Sequence, residues 1–400
     1  MEIDLISPIS STNYGGVERY ALNLLDQFVR LQTTHSFRLV NFPPSVSSPF
    51  PFERIEVKYG FRDTASHFFS RRGAKFVSAT LDYLVTNGPS APPRDLVSGW
   101  NRQMGLSFGL ETVGPSKIVH GLTHFLPRYV QSAHLVATVH DLGPLRVPSL
   151  YTRAFVQYMR HEFARQARSS ERVITDSPTT LEDVHELYGI PRERLAFIPL
   201  GVEETFHRTE PHAVLQKHGI TAPYIYYPMG TIEPRKNLAA VSEAVRRLRT
   251  ELHTDLTLVV TGRCLQRFPD LDRTIEEGAA AGHLRRLGFV DAEDLPALYS
   301  GAQLCVYPSL FEGFGLPVLE SMACGTPVAV SRIGALDYVA GDAAYRLADT
   351  SPESIANGIA TMLSDHALRS RLSEAGLRRA KQFPWEATAR KTLEVYDDLA

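Results

Sequence analysis

The chain has 400 residues, 44% hydrophobic and 22% charged, with 42 Lys and Arg against 44 Asp and Glu for a formal net charge of −2. That length is too great for one ordinary core and suits two domains of a soluble globular protein. Near-neutrality offers a nucleic acid no counter-charge, no apolar run approaches the ~20 residues of a membrane span, and Cys264, Cys305 and Cys324 are too few and too scattered for a disulfide framework or a zinc site. All three cysteines are expected to be reduced core residues. The first residues, Met1-Glu2-Ile3-Asp4-Leu5-Ile6, lack a basic segment and enter a strand directly. No secretory leader is expected, and the expected compartment is the cytoplasm.

In chain order, a strand over 2–7 leads through a Ser-, Thr-, Asn- and Gly-containing loop into a helix from Val17 to Arg30, with Leu22, Leu25, Phe28 and Val29 at helical spacing. A strand over 36–41 precedes a Pro- and Ser-rich loop at 42–52. Residues 60–110 lack clear periodicity and are expected to hold short helices and mobile loops. Strands at 117–119 and 135–139, a helix at 153–168, a strand at 172–175, a helix at 179–188 and a strand at 195–198 complete the first half. Pro199-Leu200-Gly201-Val202 reads as the link between halves. The second half runs strand 224–228, loop 229–237, helix 238–252, strand 256–261, helix 271–281, strand 286–290, helix 293–300 and strand 303–307, and the tail from Trp385 to Leu399 is helical. This alternation predicts two doubly wound parallel sheets, with ligands at the carboxyl ends of the strands and in the cleft between domains.

The densest motif is Leu310-Phe311-Glu312-Gly313-Phe314-Gly315-Leu316-Pro317-Val318-Leu319-Glu320-Ser321-Met322-Ala323-Cys324-Gly325-Thr326-Pro327. Pro317 suits a first helical turn and Gly325 a helix end, so the segment reads as strand, glycine loop, helix, strand. Such a loop aims backbone N–H groups at an anion or a cluster of hydroxyls. Glu320, about one turn into the helix, can accept bonds from a ribose or sugar hydroxyl. Upstream, Met229-Gly230-Thr231-Ile232-Glu233-Pro234-Arg235-Lys236-Asn237 places a glycine and two adjacent cations between a strand and a helix. A departing diphosphate needs that equipment. Asn13-Tyr14-Gly15-Gly16-Val17 opens the first helix with a glycine pair, but without the spacing of a dinucleotide fingerprint it fits an ordinary turn as well as a phosphate loop.

His140 closes the apolar strand 135–139, where an open sheet places functional groups. His120 and His124 end the preceding strand and read as structural. Asp270 and Asp272 follow Phe268-Pro269 at a helix start and read as a cap, not a metal site. No His/Cys cluster has ligand spacing. Residues 153–172 carry Arg153, Arg160, Arg165, Arg168 and Arg172, with Phe155, Met159 and Phe163 sharing a face. Packing on its own sheet is the reading taken, and a peripheral contact with an anionic membrane is the alternative.

The 310–327 run, with Pro308-Ser309 before it, resembles the Glu-x7-Glu signature of retaining glycosyltransferases of family 4. The resemblance is patchy over 1–200 and nearly continuous from Arg172 to Trp385. It implies the α/β fold called GT-B: two doubly wound Rossmann-like domains facing a central cleft. Residues 1–200 would form the acceptor-side domain, 201–384 the nucleotide-sugar domain, and 385–400 a helix crossing back. It also implies the site. Arg235 and Lys236 would take the diphosphate, and Glu320 the ribose. Glu312 with the backbone of Gly313, Phe314, Gly315 and Leu316 would hold the donor hydroxyls. Gly15, Gly16 and Gly230 would approach the phosphates, and Phe289 and Val290 would pack on the base through main-chain groups. His140 would hydrogen-bond the donor sugar. His140, Glu312, Arg235 and Lys236 would then carry the chemistry, with no metal and no cofactor beyond the donor.

The segment Thr138-Val139-His140-Asp141-Leu142-Gly143-Pro144-Leu145-Arg146 is most similar to the mannosyl- and rhamnosyltransferase branch that builds bacterial polysaccharides. A GDP-sugar, GDP-mannose first, and a glycan or lipid-linked saccharide acceptor are therefore expected, with a UDP-sugar as the close alternative. A glycosidase using Glu312 and Glu320 as its acid pair would leave Arg235 and Lys236 unexplained. An epimerase of the same fold would need no acceptor. A catalytically dead binding partner should have lost signature residues, and none is lost.

Overall fold

The computed structural model describes residues 1–6, 16–40, 50–55, 117–123, 134–221, 223–264 and 268–400. The two-sheet GT-B arrangement is the one found. In the first sheet, β1 (Glu2–Ile6), β2 (Ser36–Val40), β3 (Glu53–Ile55), β4 (Ile118–Gly121), β5 (His134–Val139), β6 (Arg172–Thr175) and β7 (Leu195–Phe197) lie in the order β3-β2-β1-β4-β5-β6-β7. In the second, β8 (Tyr224–Tyr227), β9 (Thr257–Thr261), β10 (Leu284–Gly288), β11 (Leu304–Tyr307), β12 (Val328–Val330) and β13 (Tyr345–Arg346) lie in the order β10-β9-β8-β11-β12-β13. Neighbouring strands in both are parallel. Parallel pairs need crossovers, and helices in those crossovers cover both sheet faces. The central strands are accordingly rich in buried apolar residues, and β4, β8, β11 and β12 are buried at every position. The three tyrosines of β8 keep their hydroxyls satisfied: Tyr224 donates to the Leu298 carbonyl at 2.7 Å, Tyr226 meets Thr261 Oγ1 at 3.0 Å and Tyr227 donates to the Lys236 carbonyl.

Strand order reverses between β1 and β4 and again between β8 and β11. Each reversal opens a crevice at the carboxyl ends of the strands. The chain crosses between halves twice, side by side. Val202 pairs with Pro384, and its N–H donates to the Phe383 carbonyl at 2.9 Å. The last helix, Trp385–Asp397, then lies against the first, Gly16–Arg30, and the Tyr396 hydroxyl reaches His120 Nδ1 on β4 at 2.5 Å. His120 Nε2 meets Thr138 Oγ1 at 2.8 Å, so this histidine is a buried strut between sheet and closing helix.

Some elements differ from the sequence pattern. β10 starts two residues earlier than the predicted 286–290, with Arg285 and Arg286 exposed on an edge strand. Phe289 and Val290 therefore follow the strand instead of lying on it. The Arg-rich helix contains a π-helical segment, Tyr158–Phe163, between Arg153–Gln157 and Ala164–Ser169. Met159 and Phe163 are buried there against Val139, Leu142 and Tyr188. Among the described residues, no helix is long and apolar enough to cross a membrane. Cys305 and Cys324 are buried, but Cys264 is exposed, in the loop after β9. Asp270 does not cap its helix. Phe268 occupies the N-cap position, and Asp270 bonds Arg273 at 2.8 Å. Gly15, His124 and the stretch 60–110 lie outside the described residues.

Candidate active site

The loop after β8 turns through Pro234–Lys236 and then into the helix Leu238–Glu251. Asn237 makes that turn with φ of 61°, a left-handed conformation Asn tolerates, and its side chain donates to the Thr350 carbonyl at 2.8 Å. The turn drives Lys236 inward, where only 6% of it is exposed. The loop after β11 brings Glu312 to meet it. Lys236 Nζ lies 2.5 Å from Glu312 Oε1 and 2.5 Å from the Tyr307 hydroxyl, Arg235 Nη1 lies 2.9 Å from Glu312 Oε2, and Ser309 donates to Oε1 at 2.9 Å. Arg235 Nε also binds Glu233 at 2.7 Å, and its Nη1 donates to the Phe311 carbonyl at 3.1 Å. Burial works to raise the Glu312 pKa, but Arg235 and Lys236 outweigh it and hold the carboxyl at about 2. Burial and the neighbouring Arg235 lower the Lys236 pKa against the pull of Glu312. Glu233 and Glu312 against Arg235 and Lys236 make a formally neutral group, so a carboxylate can face a diphosphate sugar without net repulsion.

The glycine turn that follows is specified by contact and conformation. A Cβ at Gly313 would lie 2.3 Å from the His140 carbonyl oxygen of the other half, and Gly315 has φ of 112°. The two halves therefore meet backbone to backbone at Gly313. The side chains of Phe314 and Leu316 are buried, so what these residues offer a ligand is main chain. The helix Leu316–Ala323 starts there with Pro317 in its first turn. Glu320 on it is 3% exposed, accepts from the Tyr299 hydroxyl at 2.6 Å and pairs with Arg19 Nη1 at 2.5 Å. Arg19 belongs to the first helix, on the opposite side of the cleft.

His140 lies at the end of β5 beside the cleft, but both ring nitrogens turn into its own half. Nδ1 is 2.5 Å from Asp176 Oδ2 and Nε2 is 3.0 Å from the Leu122 carbonyl. A carbonyl only accepts, so Nε2 carries a proton, and the His140–Asp176 pair holds the proton on Nδ1. Burial opposes a charge on His140, yet Asp176 and the Leu122 carbonyl raise its pKa. Burial likewise raises the pKa of Asp176. The expected bond from the imidazole to a donor sugar is not available in this arrangement, because both nitrogens are taken. What His140 presents to the cleft is its carbonyl, beside Gly313, with Thr180 bridging by donating to the carbonyls of His140 at 3.3 Å and Gly313 at 3.4 Å.

The remaining expected residues lie in the loop after β8, at the start of the first helix and just after β10. Gly230 is exposed, and its carbonyl accepts from Arg263 N–H at 3.0 Å. Gly16 begins the first helix. Phe289 is 50% exposed with the Arg263 guanidinium 3.9 Å over its ring, and Val290 is buried. Sequence reasoning missed Arg19, Glu203, Asp176 and Tyr307. A cation in the first turn of a helix is unfavourable to the dipole, which could have marked Arg19. Asp176 follows β6 as His140 follows β5, and Val139 pairs with Thr175, so strand register could have joined them. Among the described residues, no group of three or more His, Cys, Asp or Glu could hold a metal ion.

Comparison with known proteins bears on the family and the fold. The family model described as Glycosyl transferases group 1 matches residues 213–379, and that described as Glycosyltransferase Family 4 matches residues 14–206. O-antigen chain mannosyltransferase B of Escherichia coli is 32% identical over 282 residues, 70% of this chain and 74% of the relative. MMP alpha-(1->4)-mannosyltransferase of Mycolicibacterium hassiacum is 29% identical over 237 residues, 58% of this chain and 55% of the relative, so the chain spans only about half of that protein. Among solved structures, sucrose-phosphate synthase from Thermosynechococcus elongatus superposes with a TM-score of 0.72 at 20% identity, covering 100% of this chain and 99% of that one. At that identity the likeness is one of fold.

Proposed function

Because the chain belongs to the family 4 glycosyltransferases, we propose that it moves a hexosyl group, mannose first, from a nucleotide-diphosphate sugar to a hydroxyl of a growing glycan or lipid-linked saccharide in polysaccharide biosynthesis. A GDP-sugar is the favoured donor and a UDP-sugar the alternative. The observation that carries the reading is the convergence of Arg235, Lys236 and Glu312 at the carboxyl ends of β8 and β11, where the strand order reverses. The names of the two sequence relatives, both mannosyltransferases, support the choice of sugar.

In this reading Arg235 and Lys236 stabilise the charge that grows on the departing diphosphate, which removes the need for a metal ion. Glu312, held ionised by the same cations, accepts bonds from donor hydroxyls. Glu320 takes the ribose. The bond from the anomeric carbon to the diphosphate breaks as the acceptor oxygen bonds to that carbon on the same face, and the acceptor proton passes to the departing phosphate. Configuration is retained. A glycosidase needs one of its two carboxyls protonated as an acid. Glu312 is pinned as a carboxylate, and Glu320 is tied to Arg19 and Tyr299, so the pair is unsuited to that task.

The test is a screen of isotope-labelled GDP-mannose, GDP-rhamnose, UDP-glucose and UDP-galactose by thermal shift and by transfer to saccharide acceptors, with and without EDTA. Stabilisation by a GDP-sugar, transfer that survives EDTA and an anomeric proton signal matching that of the donor are expected. Hydrolysis of simple glycosides with no response to any nucleotide sugar would overturn the proposal.

A further inference from the structure

Arg19 is a side chain of the N-terminal half whose three bonded nitrogens all reach outside that half. Its Nη1 binds Glu320 Oε1 at 2.5 Å, and its Nη2 and Nε bind Glu203 Oε1 at 2.6 and 2.9 Å. Glu203 lies on the crossing segment next to Val202, and Asn23, one helical turn after Arg19, also donates to Glu203 Oε1, at 3.1 Å. The guanidinium lies 5.2 Å over the Phe206 ring. Three parts of the molecule (first helix, crossing segment and signature helix) are therefore joined through one planar cation.

Resting on the reading of Glu320 as the ribose-holding carboxylate, we propose that Arg19 is a positioning residue for the donor ribose, which keeps Glu320 aimed and makes ribose binding depend on closure of the two halves. A carboxylate has about four lone-pair positions. Arg19 uses one on Oε1 and Tyr299 uses one on Oε2, which leaves two for the two neighbouring hydroxyls of a ribose. The ribose need not displace Arg19. Without Arg19, Glu320 would be a buried carboxylate held only by the Tyr299 hydroxyl, with nothing on Oε1 to fix the direction of its remaining acceptor positions. Glu203 fixes Arg19 by binding two of its nitrogens, and the fork geometry is one that lysine cannot reproduce. When the halves part, Arg19 leaves with the first helix and Glu320 loses its only charged partner among the described residues.

The experiment titrates GDP, UDP and inorganic pyrophosphate into the wild-type protein and into Arg19→Met, Arg19→Lys, Glu203→Gln, Glu320→Gln and the Arg19→Met/Glu320→Gln pair. Pyrophosphate occupies the diphosphate corner but has no ribose. For whichever nucleotide the wild type binds more tightly, Arg19→Met should weaken binding about tenfold or more, the worth of one charge-assisted hydrogen bond. Pyrophosphate affinity should not change, and donor KM should rise by more than kcat falls. The double variant should bind no more weakly than the weaker single variant, because both remove one interaction. Should Arg19→Met not fold, Arg19→Lys and Glu203→Gln carry the test, each expected to weaken nucleotide but not pyrophosphate. The inference is overturned if Arg19 and Glu203 variants bind nucleotide normally while Glu320→Gln does not, or if pyrophosphate weakens in parallel. Normal nucleotide binding by Glu320→Gln, or no nucleotide binding by the wild type, overturns the ribose reading itself, and the role of Arg19 falls with it.

Discussion

Glu312 and Glu320 lie eight positions apart in one strand–turn–helix unit, yet they are held by opposite means. Glu312 takes both of its cations, Arg235 and Lys236, from the neighbouring loop of its own sheet. Glu320 takes its cation, Arg19, from across the cleft. The first corner is complete whenever the second half is folded. The second is complete only when the halves are closed. One short motif therefore supplies both a preformed corner and a conditional one, and it is the conditional corner that can report whether the donor is in place.

The largest effect should come from breaking the preformed corner. Lys236→Ala leaves Glu312 buried beside one cation instead of two, and loss of a hydrogen bond to a charged group costs about 1.5–3 kcal/mol. Both melting temperature and kcat/KM should fall sharply, the rate by roughly 100-fold or more for a loss of about 3 kcal/mol. Arg235→Ala should cost less, because Lys236, Ser309 and the ionised carboxylate remain together. Lys236→Met combined with Glu312→Gln should recover part of the stability and none of the activity. If Lys236→Ala melts and turns over like the wild type, the preformed corner is not what holds this loop.

Acid unfolding probes the same corner more gently. The folded-state pKa of Glu312 is about 2, below its ordinary value of 4.5. A carboxyl so depressed contributes stability that is fully present above pH 4.5 and is lost as pH falls from there toward 2. Glu312→Gln should therefore flatten the acid limb of stability against pH in that window and leave the slope above it alone. An unchanged acid limb would mean that Arg235 and Lys236 do not pair with Glu312 in solution.

How much of this was legible in the sequence follows the same division. The preformed corner could be read because its parts lie on two loops with strong local signals: a glycine and two cations after one strand, Glu-Gly-Phe-Gly-Leu-Pro after the other. The alternation of strand and helix gave the two-sheet fold for the same local reason. The conditional corner could not be read, because Arg19 and Glu320 are 301 positions apart and only tertiary closure joins them. His140 is an intermediate case. Its place at a strand end was clear, but the partner that turns its ring away from the cleft, Asp176, is 36 positions on and visible only through the register of β5 with β6.

That pairing changes what His140→Ala should do. Removal of the ring strands Asp176, whose Oδ1 is already buried with no hydrogen-bond partner among the described residues. The melting temperature should fall together with kcat, the latter by about tenfold as the loop that carries the His140 carbonyl against Gly313 loosens. The two losses should travel together through a series of His140 and Asp176 variants. A fall in kcat with an unchanged melting curve would restore a direct bond from the ring to the donor.

The smallest effect concerns a third carboxylate, which has neither kind of support. Glu18, next to Arg19 in the first turn of the first helix, is 2% exposed, and among the described residues neither of its carboxylate oxygens has a hydrogen-bond partner. Burial raises its pKa from 4.5 to about 7, opposed only by the charge of Arg263. A carboxyl whose folded pKa is raised favours the folded state fully below its unfolded value, and that contribution disappears as pH rises through the folded value. The window here is therefore about pH 4.5 to 7. Above it, folding must bury an ionised group with no partner. Glu18→Gln has the same shape and no charge to bury. Its melting temperature relative to wild type should be lowest at pH 4.5, climb through neutrality and exceed wild type by a few degrees at pH 8. The Glu312 and Glu320 substitutions by glutamine should show no such gain at pH 8, since each would discard a carboxylate that has a cation. A Glu18→Gln variant less stable than wild type at pH 8 would mean that this carboxylate, too, has found a cation, and the contrast among the three would reduce to their distance from Arg19.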